Sequence, residues 1–224
     1  MSQIKDVGII ACEVYVPVIQ TDLEEMEKFD NVSKGKYTLG LGQNKMSILS
    51  NFEDTTSMAL SVVSSLMKKV DLALNCSDLN DIENYTNAKI HKGQAIGAIF
   101  VATESSTDKS KSIKSSLMSL FTCSNSPIYN YQNGDSQHIW TPNYFIEGCD
   151  FRHACYGGTA ALFASFDWVH SPHWNGKYAI VVATDSCIYE NNSASKATGG
   201  AGAFACLVGP NAPLILGYLI MIIN

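Results

Sequence analysis

The sequence predicts an α/β layered fold, with a mostly parallel mixed sheet and helices on both faces. Two observations predict it. Apolar runs of strand length recur at residues 7–15, 96–102 and 178–183, and they are continuous rather than alternating, as in strands covered on both faces. Strand-like and helix-like segments alternate along the chain, with no fixed-period repeat and no obvious linker between two domains.

Residues 7–15 read as a buried strand ended by Pro17. Thr21-Asp-Leu-Glu24 has capping-box spacing and opens a short helix to about Phe29. Gly35, Gly40 and Gly42 then mark a loop. Residues 53–69 are the clearest helix, with Ala59, Val62, Val63, Leu66 and Met67 on one face, acidic residues in the first turn and two lysines in the last. Residues 75–94 are polar and aperiodic and read as a surface insertion. The second strand, 96–102, leads through Thr103-Glu104-Ser105 to a helix over 112–121. A stretch rich in Asn, Tyr, Gln and Pro, 124–144, reads as a second insertion or lid. A short strand at 145–150 precedes a helix over 156–170 with Ala160, Ala161, Ala164 and Trp168 on one face. Strands at 178–183 and 203–208 follow, and Pro210 and Pro213 bound a turn.

The 224 residues suffice for a sizeable core, and 46% apolar with 16% charged residues is a globular balance. A net charge of −6 without a Lys/Arg run argues against nucleic acid. The longest apolar run, 213–223, is shorter than the roughly 20 residues a membrane span needs. The amino terminus has no signal-like apolar region, which points to a reducing, cytoplasmic setting with the seven scattered cysteines as free thiols. No zinc-like spacing exists, and Pro172 breaks the one His-x-x-His pair, His170 and His173.

Three stretches carry chemistry. In His153-Ala-Cys-Tyr-Gly-Gly-Thr-Ala-Ala161, a cysteine stands between a short strand and a small-residue helix. Unpaired N–H groups and the helix dipole favour a thiolate there, and Gly157 and Gly158 would let a substrate approach closely. Cys155 therefore fits an activated nucleophile, or simply a small core residue. Glu104 follows a strand's carboxyl end, where α/β sheets put their sites. Partial desolvation there would suit a general base, although a helix-capping carboxylate has the same spacing. Asp185, also at a strand end, suits orienting a site residue or capping a turn.

Five segments together resemble the eukaryotic hydroxymethylglutaryl-CoA synthases. They are Gly-Lys-Tyr-Thr-Leu-Gly-Leu-Gly-Gln (35–43), Thr-Glu-Ser-Ser-Thr-Asp-Lys-Ser-Lys (103–111), Ala-Cys-Tyr-Gly-Gly-Thr-Ala-Ala (154–161), Thr-Gly-Gly-Ala-Gly (198–202) and Val-Gly-Pro-Asn-Ala-Pro-Leu-Ile (208–215). The resemblance implies the first of the two halves of a thiolase-like fold, over residues 1–215. It implies a Claisen-type condensation of acetyl-CoA with acetoacetyl-CoA, feeding the mevalonate route to isoprenoids and sterols, with no cofactor and no metal. Cys155 would carry the acetyl group and Glu104 would remove a methyl proton. Backbone N–H groups near Cys155 would serve the enolate oxygen, and Tyr156, Asp185, Thr198 and Gly199 would bind substrate. The family pattern also implies a homodimer.

The chain departs from that pattern in three places. The family's catalytic histidine lies in the carboxy-terminal half, and none of His91, His138, His153, His170 or His173 replaces it by position. Arg152 and His153 put bulk and charge beside the nucleophile, and Ser195-Lys-Ala197 stands where the family has Ala-Arg-Pro. Residues 216–224 leave the family context, which suggests a truncated product, whether a non-catalytic fragment or a partner subunit, with one apolar face uncovered.

Overall fold

The computed structural model describes residues 6–73, 95–124, 128–129, 136–137 and 140–216. The expected insertion at 75–94 and the tail from 217 lie outside these residues, as does most of the interior of 124–144.

One six-stranded sheet organises the chain, in the order β12-β1-β11-β10-β4-β9. Its strands are β1 (Gly8–Tyr15), β4 (Ile96–Ala102), β9 (Asp150–Phe151), β10 (Tyr178–Cys187), β11 (Gly200–Gly209) and β12 (Leu214–Ile215). The mixed α/β layering agrees with the sequence, but less of the pairing is parallel than expected. Only β10–β4 and β4–β9 are parallel; β12–β1, β1–β11 and β11–β10 are antiparallel. The cause is the link between β10 and β11. It contains one 3₁₀ turn and no crossover helix, so the chain folds straight back.

Period-two alternation sorts the central strands between two cores. Ile96, Ile99, Val101, Ile180, Val182, Ala205 and Leu207 point to one face, and Ala98, Phe100, Ala102, Ala179, Val181, Cys206 and Val208 to the other. Helix α2 (Thr55–Ala73) covers the first face with Met58, Ala59, Val62, Val63, Leu66 and Val70. It starts two residues later than expected because Asp54 and Ser57 cap it reciprocally, Ser57 N donating to Asp54 Oδ1 at 2.6 Å and Asp54 N to Ser57 Oγ at 2.7 Å. The expected acidic first turn is therefore absent. Glu53 lies outside the helix, accepting from the Tyr15 hydroxyl and from Ser50 N.

Helix α4 (Gly157–His170) covers the second face. Its buried row is Gly157, Ala161, Ser165 and Val169, spaced by four, with Phe166 beside it. That is a shift from the expected face, since Ala160, Ala164 and Trp168 are only half-buried. The smaller helix α1 (Leu23–Phe29) begins one residue later than the expected capping box puts it. Its cap is Asp22 rather than Thr21: Asp22 Oδ1 accepts from Glu24 N and Glu25 N, and both residues lie in the hairpin of β2 (Gln20–Asp22) and β3 (Lys45–Ser47). Helix α3 (Ile113–Leu117) continues as a 3₁₀ turn to Leu120. Short antiparallel pairs, β5 (Thr122–Ser124) with β8 (Trp140–Pro142) and β6 (Ile128–Tyr129) with β7 (Ser136–Gln137), are the described parts of the second expected insertion. No helix among the described residues is long and apolar enough to cross a membrane.

Candidate active site

The carboxyl ends of β4 and β10 and the amino end of α4 converge. Strand β4 is buried along its whole length, so its direction is set by packing, and it delivers Thr103 and Glu104 to the rim. Strand β10 runs four residues beyond the apolar run read from the sequence. Thr184, Asp185, Ser186 and Cys187 pair with Ala203, Gly202, Ala201 and Gly200. The buried Thr184 hydroxyl donates to Thr55 O at 2.8 Å and anchors the extension to α2.

Asp185 organises the turn after β4. Its Oδ1 accepts from Thr103 Oγ1 at 3.0 Å, Glu104 N at 2.8 Å, Ser105 N at 3.1 Å and Ser105 Oγ at 2.7 Å. Ser105 Oγ accepts in turn from Ser186 N at 2.9 Å. This clasp holds the Glu104 backbone from both strands, and no spacing rule connects residues 80 apart in sequence.

Glu104 meets two thiols. Its Oε1 lies 4.0 Å from Cys155 Sγ and 3.5 Å from Cys187 Sγ. The carboxylate is exposed, so the expected partial desolvation is not found in this chain. Burial and the nearby Glu104 carboxylate push the Cys187 thiol up to about 11. The charge on Cys187 and burial raise the Tyr189 phenol as well. Cys187 went unnoticed in the sequence because it lies past the apolar run. Its signal was the polar sequence Thr-Asp-Ser-Cys immediately after a buried strand.

Cys155 stands just before Tyr156, the first capping position of α4, and is exposed. Ala154 has φ 44°, an uncommon conformation for a residue with a side chain. It tightens the turn so that Tyr156 N and Gly157 N donate back to His153 O and Ala154 O, both at 3.1 Å. Those two N–H groups are thus spent within the turn. A Cβ on Gly157 would lie a tight 3.3 Å from Ala102 Cβ, so its smallness lets the helix end settle on β4, whereas a Cβ on Gly158 would make an ordinary 3.7 Å contact with Ala183 Cβ.

The neighbours of Cys155 turn away. Arg152 Nη2 reaches Asp108 O at 3.5 Å, and the His153 ring packs edge-on to Tyr156 at 5.1 Å. Tyr156 itself is 50% exposed. Thr198 is exposed and its hydroxyl donates to Ser195 O at 2.7 Å. Gly199 packs so closely that a Cβ would come 2.7 Å from Cys187 O.

The glycine-rich loop at 35–43 is held by the buried Glu27. Its carboxylate accepts from Thr38 N, Tyr37 N and Gly35 N, each at 2.8 Å, and from Thr38 Oγ1 at 3.0 Å. These bonds, Thr38 N foremost, hold its pKa at about 2. The loop reaches the 195–198 turn through Asp30, which receives the Tyr37 hydroxyl at 3.0 Å and pairs with Lys196 at 2.6 Å. The β2–β3 hairpin then leans on the end of β11 through a Ser47 hydroxyl bond to Ala201 O. Between hairpin and sheet lies a mainly apolar cleft, lined by Met26, Met46, Ile48, Cys187, Ile188 and Tyr189 among others.

The family model for the hydroxymethylglutaryl-coenzyme A synthase N-terminal region matches residues 3–96 and 79–213. The chain is 44% identical to the cytoplasmic hydroxymethylglutaryl-CoA synthase of Gallus gallus over 94% of its own length and 33% of that protein. For the cytoplasmic synthase of Homo sapiens the identity is 43%, over 94% of this chain and 34% of that one. The chain thus spans about a third of the length of the curated relatives it matches. Among solved structures, MvaS in complex with 3-hydroxy-3-methylglutaryl coenzyme A superposes with a TM-score of 0.71 at 31% identity, over 93% of this chain and 41% of that one. The fold is that of the thiolase-like synthases, and with a family match across nearly all of its length the chain belongs to the hydroxymethylglutaryl-coenzyme A synthase N-terminal family.

Proposed function

We propose that this chain carries the acyl-accepting half of a hydroxymethylglutaryl-CoA synthase site. The observation that bears the reading is the approach of Cys155 Sγ to Glu104 Oε1 at 4.0 Å, from two elements 51 residues apart, at the rim where α/β sheets hold their ligands. Acetyl-CoA acylates Cys155 by thioester exchange, the sulfur gaining the acetyl group and CoA leaving as the thiol. Glu104 takes a proton from the acetyl methyl group. The carbanion equivalent attacks the ketone of acetoacetyl-CoA, and hydrolysis of the thioester releases hydroxymethylglutaryl-CoA. Asp185 holds Glu104 in position, while Tyr156, Thr198 and Gly199 border the acyl group. Enolate stabilisation calls for a donor other than the Tyr156 and Gly157 amides. The relatives compared above are cytoplasmic synthases, and we read this chain as acting in the same compartment on acyl-CoA substrates, without a cofactor, nucleic acid or membrane. Full-length proteins of this pattern would pair as homodimers.

A second reading has its own support. His153 packs against Tyr156 rather than completing a thiol–carboxylate–histidine site. On this reading the chain is a non-catalytic fragment or a partner subunit. Incubation with labelled acetyl-CoA tests the primary proposal. A covalent acetyl adduct on Cys155, absent from Cys155→Ala, is the expected result, and a wild-type chain that stays unlabelled overturns it. Adduct formation without release of condensed product assigns the remaining steps to a histidine-bearing segment elsewhere.

A further inference from the structure

We infer that Cys155 and Cys187 form a peroxide-reactive dithiol centred on Glu104, in which a hydroperoxide converts the two thiols to a disulfide. The inference goes beyond the condensation chemistry, although it shares Cys155 with it. Both sulfurs approach one atom, Glu104 Oε1, at 4.0 Å and 3.5 Å, so their separation cannot exceed the sum of those distances. Cys155 is exposed on a tight turn, and Cys187 is half-buried on the last residue of β10. The step requires the two sulfurs to close to the roughly 2 Å of a sulfur–sulfur bond.

The environments divide the labour. Cys155 is open to solvent and at the amino end of a fourteen-residue helix, a setting that favours attack on a small oxidant. Cys187 is kept protonated by burial and by Glu104, with its thiol up to about 11. It is the resolving thiol, and Glu104 is its base.

The step balances as follows. The Cys155 thiolate attacks one peroxide oxygen and the O–O bond breaks, giving a Cys155 sulfenic acid and hydroxide, which takes a proton to become water. The Cys187 sulfur attacks the Cys155 sulfur while Glu104 relays its proton to the departing hydroxide, so that the S–O bond breaks and the hydroxide leaves as water. Two thiols are oxidised, one peroxide is reduced to two waters, and the carboxylate is regenerated.

Trypsin separates the two cysteines, because cleavage after Arg152, Lys177 and Lys196 yields peptides 153–177 and 178–196 with one cysteine each. The whole chain is treated with hydrogen peroxide, quenched with an alkylating agent under denaturing conditions, digested and analysed by mass spectrometry. The expected product is the disulfide-linked pair of those peptides, abolished by dithiothreitol. In Cys187→Ala, Cys155 is expected to run on to the sulfinic acid, which dithiothreitol does not reverse. A wild-type digest without the linked pair overturns the inference, whether Cys155 is over-oxidised or still reduced. Equal sulfinic acid yields in the wild type and Cys187→Ala overturn it as well. A parallel digest after acetyl-CoA keeps the two readings apart. An acetyl adduct without the disulfide sinks this inference alone, and a disulfide without the adduct sinks only the proposed function.

Discussion

At the scale of single residues, the site depends on one carboxylate accepting from many donors. Asp185 Oδ1 serves Thr103, Glu104 and both groups of Ser105. Removing such an acceptor leaves its donors unpaired and frees the loop that they position. Asp185→Ala is therefore expected to slow acetylation of Cys155 by about tenfold or more, and Asp185→Glu is expected to fall between the two. Rapid-quench labelling with acetyl-CoA measures this, and an unchanged rate in Asp185→Ala would refute the positioning role. Of the three partner residues, Glu104 was marked by its place after a buried strand. The clasp itself was not legible, because it joins side chains that only the parallel pairing of β4 and β10 brings together.

At the scale of elements, Glu27 shows how a helix holds a loop. The last turn of α1 supplies one buried carboxylate to three amides and a hydroxyl of residues 35–38. Its folded pKa, about 2, lies below the ordinary 4.5. A depressed carboxylate contributes stability that is fully present above pH 4.5 and is lost as the pH falls towards 2. Thermal melts across that window are expected to show a falling midpoint for the wild type. Glu27→Gln is expected to melt several degrees lower at pH 7 and to depend less on pH between 4.5 and 2. Identical slopes for the two proteins would remove Glu27 from the account. The helices themselves were legible as far as their apolar spacing went. Their starts were not: the side chains that accept the first amides are Asp22 and Asp54, and only the folded hydrogen bonding picks them out.

At the scale of the whole molecule, the described residues cover the sheet unevenly. Helix α2 spans β1, β10 and β11 on one face, whereas α4 lies mainly over β4 and β10 on the other. On β1 and β11, Val14 sits opposite Phe204, and Val14 is 60% exposed. Val16, Val18 and Ile19, which follow β1, are exposed as well. Exposed apolar patches drive association. The chain is expected to self-associate at micromolar concentration in sedimentation velocity, and Val14→Lys with Phe204→Glu is expected to shift it towards monomer. A wild-type chain that sediments as a monomer contradicts this.

The sequence by itself determined the two-sided burial of the central strands and the apolar face of α2, and it nominated Cys155 and Glu104 as site candidates. Each of these is written in local periodicity or in an ordered motif, and local patterns need no partner to be read. Tertiary structure alone decided the antiparallel share of the sheet, the extension of β10 to Cys187 and the close packing of Gly157 on β4. It also decided the convergence of two thiols on one carboxylate. Those features depend on which polar backbone finds a neighbour across the sheet: residues 184–187 have no apolar pattern of a strand and become one only because residues 200–203 pair with them.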